Sequence, residues 1–265
     1  MVGPDPADLL ELAGNVARAA GALLRDRPVD LAVGTKSSPT DVVTVMDTAA
    51  ERLILDRIRA DRPDDAVLAE ESGAAAGDSP VRWLVDPLDG TVNYLYRIPQ
   101  YAVSIAAEID GRVVAGVVYA PESDELFAAC LGGGASCNGR PLRCSAQDDL
   151  AQALVATGFG YASARRARQA AVLGVVLPKV RDIRRFGAAA LDLVAVGAGR
   201  VDAFYERGLR PWDLAAGGLI ATEAGAVVGG LAGESAGEDL VIAAPPALFD
   251  ELARLLAPLG ADRDD

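Results

Sequence analysis

Histidine is absent from all 265 residues of this chain. The absence removes phosphohistidine intermediates, histidine-based triads and histidine-ligated zinc, so catalysis has to rest on carboxylates, hydroxyls, lysine, cysteine or ion-activated water. Cysteine is scarce. Cys130, Cys137 and Cys144 are odd in number and lack CxxC spacing, which gives no disulfide framework and suits a reducing compartment. No apolar run approaches the ~18 residues of a membrane span. The N-terminal stretch carries Asp5, Asp8 and Glu11 where a signal peptide places Lys or Arg. A cytoplasmic location without a membrane partner is the expectation. Positive charge is short as well. With 25 Lys and Arg against 38 Asp and Glu the net charge is −13, which argues against nucleic acid as a partner, because phosphate backbones need a basic face. An acidic chain that handles an anionic substrate has to borrow positive charge, and bound cations are the usual loan.

Hydrophobic residues make up 51% of the chain, enough for a sizeable core. Apolar spacing predicts helices over 7–25, 41–59, 164–176, 188–198, 214–224 and 246–256. Strands are predicted over 66–69, 81–85, 102–109, 113–119, 125–130, 153–157, 201–205 and 240–243, with Asp110-Gly111 as a hairpin turn. Residues 33–40, 74–80 and 132–141 read as loops, and 261–265 as a frayed tail. The pattern is α/β, with an α+β first half (about 1–147) and an α/β second half (about 148–265). No linker separates the halves, so a single domain over 1–265 is expected.

The most informative stretch is Trp83-Leu84-Val85-Asp86-Pro87-Leu88-Asp89-Gly90-Thr91-Val92-Asn93-Tyr94. A buried strand ends on Asp86, the chain turns, and Thr91 can start a helix. Two carboxylates three residues apart, a Leu88 carbonyl and the Gly90–Thr91 amides together suit a hard cation and a phosphate. Three more acidic clusters follow a similar plan. Glu70-Glu71 stands at a strand end, Asp213 precedes an apolar helix where it could equally serve as an N-cap, and Asp47 lies inside a predicted helix. Spacing alone does not say whether they converge.

These segments closely resemble the inositol monophosphatase family. Its motifs W-x-(I/V)-D-P-(I/L)-D-G-T-x-N-(F/Y) and W-D-x-A-A-G-x-L-(I/V)-x-E-A-G stand nearly complete at 83–94 and 212–225, and Lys36–Asp41, Thr44, Asp47 and Glu70-Glu71 match upstream. The resemblance implies a layered αβαβα sugar-phosphatase fold and a homodimer. It implies a lithium-sensitive phosphomonoesterase acting on a small polyol phosphate, with myo-inositol monophosphate foremost. Fructose-1,6-bisphosphate, histidinol phosphate and 3′-phosphoadenosine 5′-phosphate are the competing esters. Glu70, Asp86, the Leu88 carbonyl, Asp89 and Asp213 would hold two to three Mg²⁺ ions, with Mn²⁺ as a substitute. Thr91, paired with Asp47, would orient the attacking water, with Glu70 also catalytic. Leu88, Asp89, Gly90, Thr91, Gly187, Ala188, Ala189, Glu206 and Asp213 would line the substrate. Two positions depart from the family pattern. Val45-Met46 replaces the usual Glu-Ala, and Ala188 removes a hydroxyl from the polyol segment, leaving backbone contacts.

Other signals carry less. Cys137 to Arg143 fits a C-x5-R phosphatase pattern, but Pro141 removes an amide from the loop and Asn138-Gly139 reads as a hairpin turn. Gly34-Thr35-Lys36-Ser37 lacks the first glycine of a P-loop. A regulatory binding role is a second reading, on an arginine concentration of Arg165, Arg166, Arg168, Arg181, Arg184 and Arg185.

Overall fold

A computed structural model describes residues 4–28, 31–36 and 40–264. Ser37, Ser38 and Pro39 of the upstream motif, and Asp265 of the expected tail, lie outside the described residues. Helix α1 (Pro6–Arg25) buries Leu9, Ala13, Val16, Ala17, Ala20 and Leu24 on one stripe and is capped by Asp5, whose side chain accepts from the Ala7 amide. The expected loop at 33–40 contains strand β1 (Val33–Thr35), which pairs antiparallel with β2 (Val42–Thr44). Helix α2 (Val45–Asp61) therefore starts at Val45 and not at Asp41. Thr44 Oγ1 accepts from the Met46 amide, while Asp47 accepts from the Thr44 amide, a reciprocal cap that ends the strand and starts the helix. Asp47 thus stands in the first turn.

The large sheet is built from β3 (Ala66–Ala69), β4 (Gly73–Ala75), β5 (Val81–Asp89), β6 (Ala102–Ile109), β7 (Arg112–Ala120), β8 (Glu125–Cys130), β9 (Gly134–Cys137) and β10 (Arg140–Pro141), in the order β10-β9-β8-β7-β6-β5-β3-β4. Only β3–β5 is parallel. Strands β4, β9 and β10 arise in segments that read as loops, because strands of two to four residues are too short to show apolar alternation. Strand β5 runs four residues beyond the predicted end. It passes through Pro87, which is tolerated at a break in register between Asp86 and Asp89, where no ladder N–H is needed. The short helix α3 (Thr91–Leu95) follows Gly90, which has φ +89°.

The small sheet holds β11 (Leu154–Thr157), β12 (Asp182–Arg184), β13 (Ala203–Glu206), β14 (Val227–Gly229) and β15 (Val241–Ala244), ordered β12-β11-β13-β15-β14. Helices α4 (Ser163–Val176), α5 (Ala189–Gly197), α6 (Pro211–Glu223) and α7 (Pro246–Leu256) connect or close it. Four cores stack the elements. α1 and α2 set Leu9, Val16, Ile54 and Ile58 on one face of the large sheet, against Trp83, Val103 and Val117. α5 and α6 cover the other face through Leu191, Leu219 and Ile220. Their far sides, with Leu193, Val196 and Ala221, meet Phe204, Val241 and Ala243 of the small sheet. α4 and α7 finish the stack with Val172, Leu248 and Leu252. The fold is an αβαβα sandwich, and α5 and α6, covered on both sides, are largely apolar around their middles, as that position requires. Small residues let α6 approach closely: a Cβ on Gly116 would lie 2.9 Å from Ala216 Cα, and one on Gly217 would lie 2.8 Å from Leu193 Cβ.

Candidate active site

The helix N-termini of α2, α3, α5 and α6 and the ends of β3, β5 and β13 meet at one cleft of about 450 Å³. Its wall holds Glu70, Asp86, Leu88, Asp89, Gly90, Thr91, Gly187, Ala188, Ala189, Glu206 and Asp213. Asp47 is fully buried just beneath. It receives the Thr91 hydroxyl at 2.9 Å and the Thr44 hydroxyl at 2.6 Å, so its two oxygens are fixed by the cap and by Thr91. Burial raises the Asp47 carboxyl above its ordinary value despite those hydrogen bonds.

Each carboxylate of the cleft is aimed by backbone. Glu70 follows β3 directly, its amide donating to Val85 O at 3.1 Å. Asp86 Oδ1 accepts from the Leu88 amide at 3.0 Å, which folds the β5 bulge over its own side chain. Asp89 accepts from the Ala189 and Ala190 amides at 3.1 and 2.8 Å. It thereby caps α5 from another strand, a role that Ala188 at the N-cap, having no hydroxyl, cannot fill. Asp213 is the third residue of α6, not its N-cap; its Oδ2 accepts from the Arg210 amide at 2.7 Å, and Ser104 holds the neighbouring Trp212 carbonyl at 3.1 Å.

The group is electrostatically unbalanced. Burial pushes Asp86 well above the ordinary carboxylate range, and Glu70, Asp89 and Asp213 push it further. Burial likewise lifts Asp213, and it lifts Asp89 against three α5 amides. Burial brings Glu206 to about 8, with Arg185 opposing. The one ammonium nearby is Lys36, whose Nζ binds Glu70 at 2.7 Å and also binds Glu71. Among the described residues no three acidic side chains close around a single point to hold an ion as they stand. The donor set nevertheless fits hard cations, being carboxylates and the Leu88 carbonyl, with mutual repulsion that positive charge would relieve.

Three features of the cleft escaped the sequence reading. The loop Gly158-Phe159-Gly160-Tyr161 between β11 and α4 lines it, and a Cβ on Gly158 would fall 1.9 Å from Glu206 Oε2. Glycines directly after a predicted strand were the available signal. Arg207 lines the cleft beside Glu206. Asp192 of α5 is buried near Glu206 with Oδ1 unpaired, and burial holds its carboxyl well above the ordinary range. The cysteines lie elsewhere. Cys137 is on β9, and burial together with Glu125 raises its thiol, opposite to what a nucleophile needs.

A model of the inositol monophosphatase family matches residues 5–260. The chain belongs to that family. As an inositol monophosphatase family member it is a phosphatase, of a metal-dependent family that acts on small phosphate esters. It is 46% identical to an inositol-1-monophosphatase of Mycobacterium leprae over 95% of this chain and 94% of that one. It is 44% identical to the Nus factor SuhB of Escherichia coli strain K12, over 85% and 86%. The crystal structure of the extragenic suppressor protein suhB from Bartonella henselae superposes with a TM-score of 0.88 at 41% identity, covering 94% of this chain and 98% of that one.

Proposed function

We propose that the chain is a Mg²⁺-dependent phosphomonoesterase that hydrolyses a small polyol phosphate, with myo-inositol 1-phosphate as the substrate. One observation carries the reading: buried Asp86 and Asp89 and half-buried Asp213 share one cleft beside Glu70, each raised by desolvation and by its neighbours, a charge arrangement that calls for cations. Glu70, Asp86, the Leu88 carbonyl, Asp89 and Asp213 would hold the Mg²⁺, two to three ions, with Mn²⁺ able to replace it. Bound there, the metal supplies charge to the phosphoryl oxygens and lowers the pKa of water.

The protein's own groups do the rest. The Thr91 hydroxyl donates a hydrogen bond to Asp47, which leaves its oxygen lone pairs free to accept from the attacking water and point that water at phosphorus. The Gly90 and Thr91 amides at the start of α3 meet the phosphoryl oxygens. Glu206, with Arg185 opposing the effect of burial on its carboxyl, accepts a polyol hydroxyl across from the Gly187–Ala189 backbone. As the new P–O bond to water forms, the ester P–O bond breaks, and the proton that the attacking water gives up goes to the departing alkoxide, which leaves as the polyol. The same reading places a single domain, a homodimer and a cytoplasmic location on this chain; no helix among the described residues is long and apolar enough to cross a membrane.

The relative named Nus factor SuhB favours a second reading, an added regulatory binding role. The arginines expected to carry it are largely engaged within the chain: Arg166 on Gly160 O, Arg168 on Leu259 O, Arg181 on Gln152 and Arg184 on Asp182. Phosphate release from myo-inositol 1-phosphate, with and without Mg²⁺ and across a Li⁺ titration, tests the first reading. Mg²⁺-dependent, Li⁺-sensitive turnover that falls at least ~10³-fold in Asp86→Asn is expected. Turnover of an aryl phosphate without inositol phosphate would discard the substrate. Full activity in that variant would discard the metal scheme.

A further inference from the structure

Beyond the carboxylates, the cleft carries arginines that the proposed reaction does not use, and two of them converge. Arg165, in the first turn of α4, and Arg207, just after β13, both line it. Both turn a guanidinium edge to the same carboxylate, that of Asp264. Arg165 donates from Nε at 3.0 Å and from Nη2 at 2.8 Å, and Arg207 donates from the same two positions at 3.1 Å each. The expected frayed tail is therefore pinned through Asp264.

Arg207 is braced by groups besides the Asp264 carboxylate, and Arg165 by packing against glycines. Arg207 is held on its other edge by the Asp239 carbonyl and carboxylate and by the Asp262 carbonyl, between 2.8 and 3.1 Å. Its side chain is only 12% exposed. Arg165 lies across two glycines. A Cβ on Gly160 would come within 2.8 Å of its Cδ, and one on Gly208, where φ is +99°, within 2.7 Å of its Nη1. Two guanidinium forks facing one point can recognise a tetrahedral oxyanion as well as a carboxylate, because each fork can bind two oxygens. Asp264, 43% exposed on its side chain, is more open to solvent than either arginine that holds it.

We propose that Arg165 and Arg207 form a second phosphate subsite on the rim of the cleft, which Asp264 occupies from within the chain and a phosphate group takes by displacing it. The subsite rests on the reading of the cleft as a polyol-phosphate site, with Glu206 as the residue immediately before Arg207. Its occupant is the second phosphate of a polyol bisphosphate or free inorganic phosphate, which share one chemistry.

The test compares wild type, Asp264→Asn, and Asp264→Asn combined with Arg165→Gln. Steady-state kinetics use myo-inositol 1-phosphate and myo-inositol 1,4-bisphosphate. In parallel, inorganic phosphate is titrated into metal-free protein while the melting temperature is followed. Removing the internal carboxylate should lower the KM for the bisphosphate relative to that for the monophosphate by roughly 10-fold, the size of one charge-assisted contact. The added Arg165→Gln should reverse it. A phosphate-dependent rise in melting temperature that appears in Asp264→Asn and vanishes in the double variant assigns the subsite to free phosphate; a shift in the KM ratio alone assigns it to the substrate. If neither quantity separates the three proteins, the subsite is overturned. If no polyol ester is turned over by any of them, the proposed function falls, and the metal-free phosphate titration alone then decides the subsite.

Discussion

Glu206 shows how much one side chain's surroundings decide. It ends β13, burial lifts its carboxyl to about 8, and the nearby Asp89 adds to that while Arg185 opposes it. Folding the metal-free protein therefore takes up a proton at this position between the unfolded value near 4.5 and about 8. The contribution is fully present below pH 4.5 and is lost as pH rises through 8. Glu206→Gln, which cannot ionise, should flatten the decline in melting temperature between pH 5 and 9 and make the metal-free variant the more stable protein at the alkaline end. Melting curves across that range check the prediction, and parallel curves for the two proteins would refute it. At this scale the sequence was most legible where residue type and motif coincide, as at Asp86, Asp89 and Asp213. It marked Gly158 only as a glycine after a strand and did not say that its missing side chain leaves room for the Glu206 carboxylate, because closeness between β11 and β13 is a property of the sheet and not of either segment.

Among the elements, α6 carries the tightest constraint. It is wedged between the two sheets by Ala215, Ala216, Gly217 and Gly218, and it presents Asp213 from its first turn. Gly217→Ala would place a methyl 2.8 Å from Leu193 Cβ and 3.1 Å from Ala190 O, forcing α5 and α6 apart. Overpacking of that kind costs about 1–3 kcal/mol. Chemical denaturation should show the loss, and metal affinity should weaken with it, since Asp213 and the α5 amides that hold Asp89 shift together. An unchanged midpoint with unchanged affinity would mean the helices have slack there. Helices and central strands were readable from apolar periodicity. The β1–β2 ribbon, β4, β9, β10, β12 and β14 were not, because pieces of two to four residues are fixed by pairing with another strand and are too short to carry a period of their own. The start of α2 was missed for a related reason: Asp41–Thr44 fits a helical pattern, and the Thr44–Asp47 cap overrides it.

For the molecule as a whole, the cleft is a concentrated local excess of negative charge in a chain of net charge −13. Metal-free protein bears that repulsion unrelieved, so Mg²⁺ should raise the melting temperature in a concentration-dependent way and a chelator should reverse it. Asp86→Asn should do two things at once: raise the melting temperature of the metal-free protein near pH 8 and shrink the Mg²⁺-dependent increment. Calorimetry with and without Mg²⁺ measures both; a variant less stable without metal and equally responsive to it would contradict the charge argument. The bond from Asp89 to α5 has a separate bearing on how such a sequence can drift. Because one carboxylate both lines the cleft and ties the large sheet to a helix that also covers the small one, selection for folding persists at this position even in a lineage that no longer needs the chemistry. Asp86 and Glu70 have no comparable second duty in joining the two sheets. Descendants that abandon hydrolysis should lose those two first and keep Asp89, leaving an acidic residue as a fossil of catalysis in a protein that has become a binder.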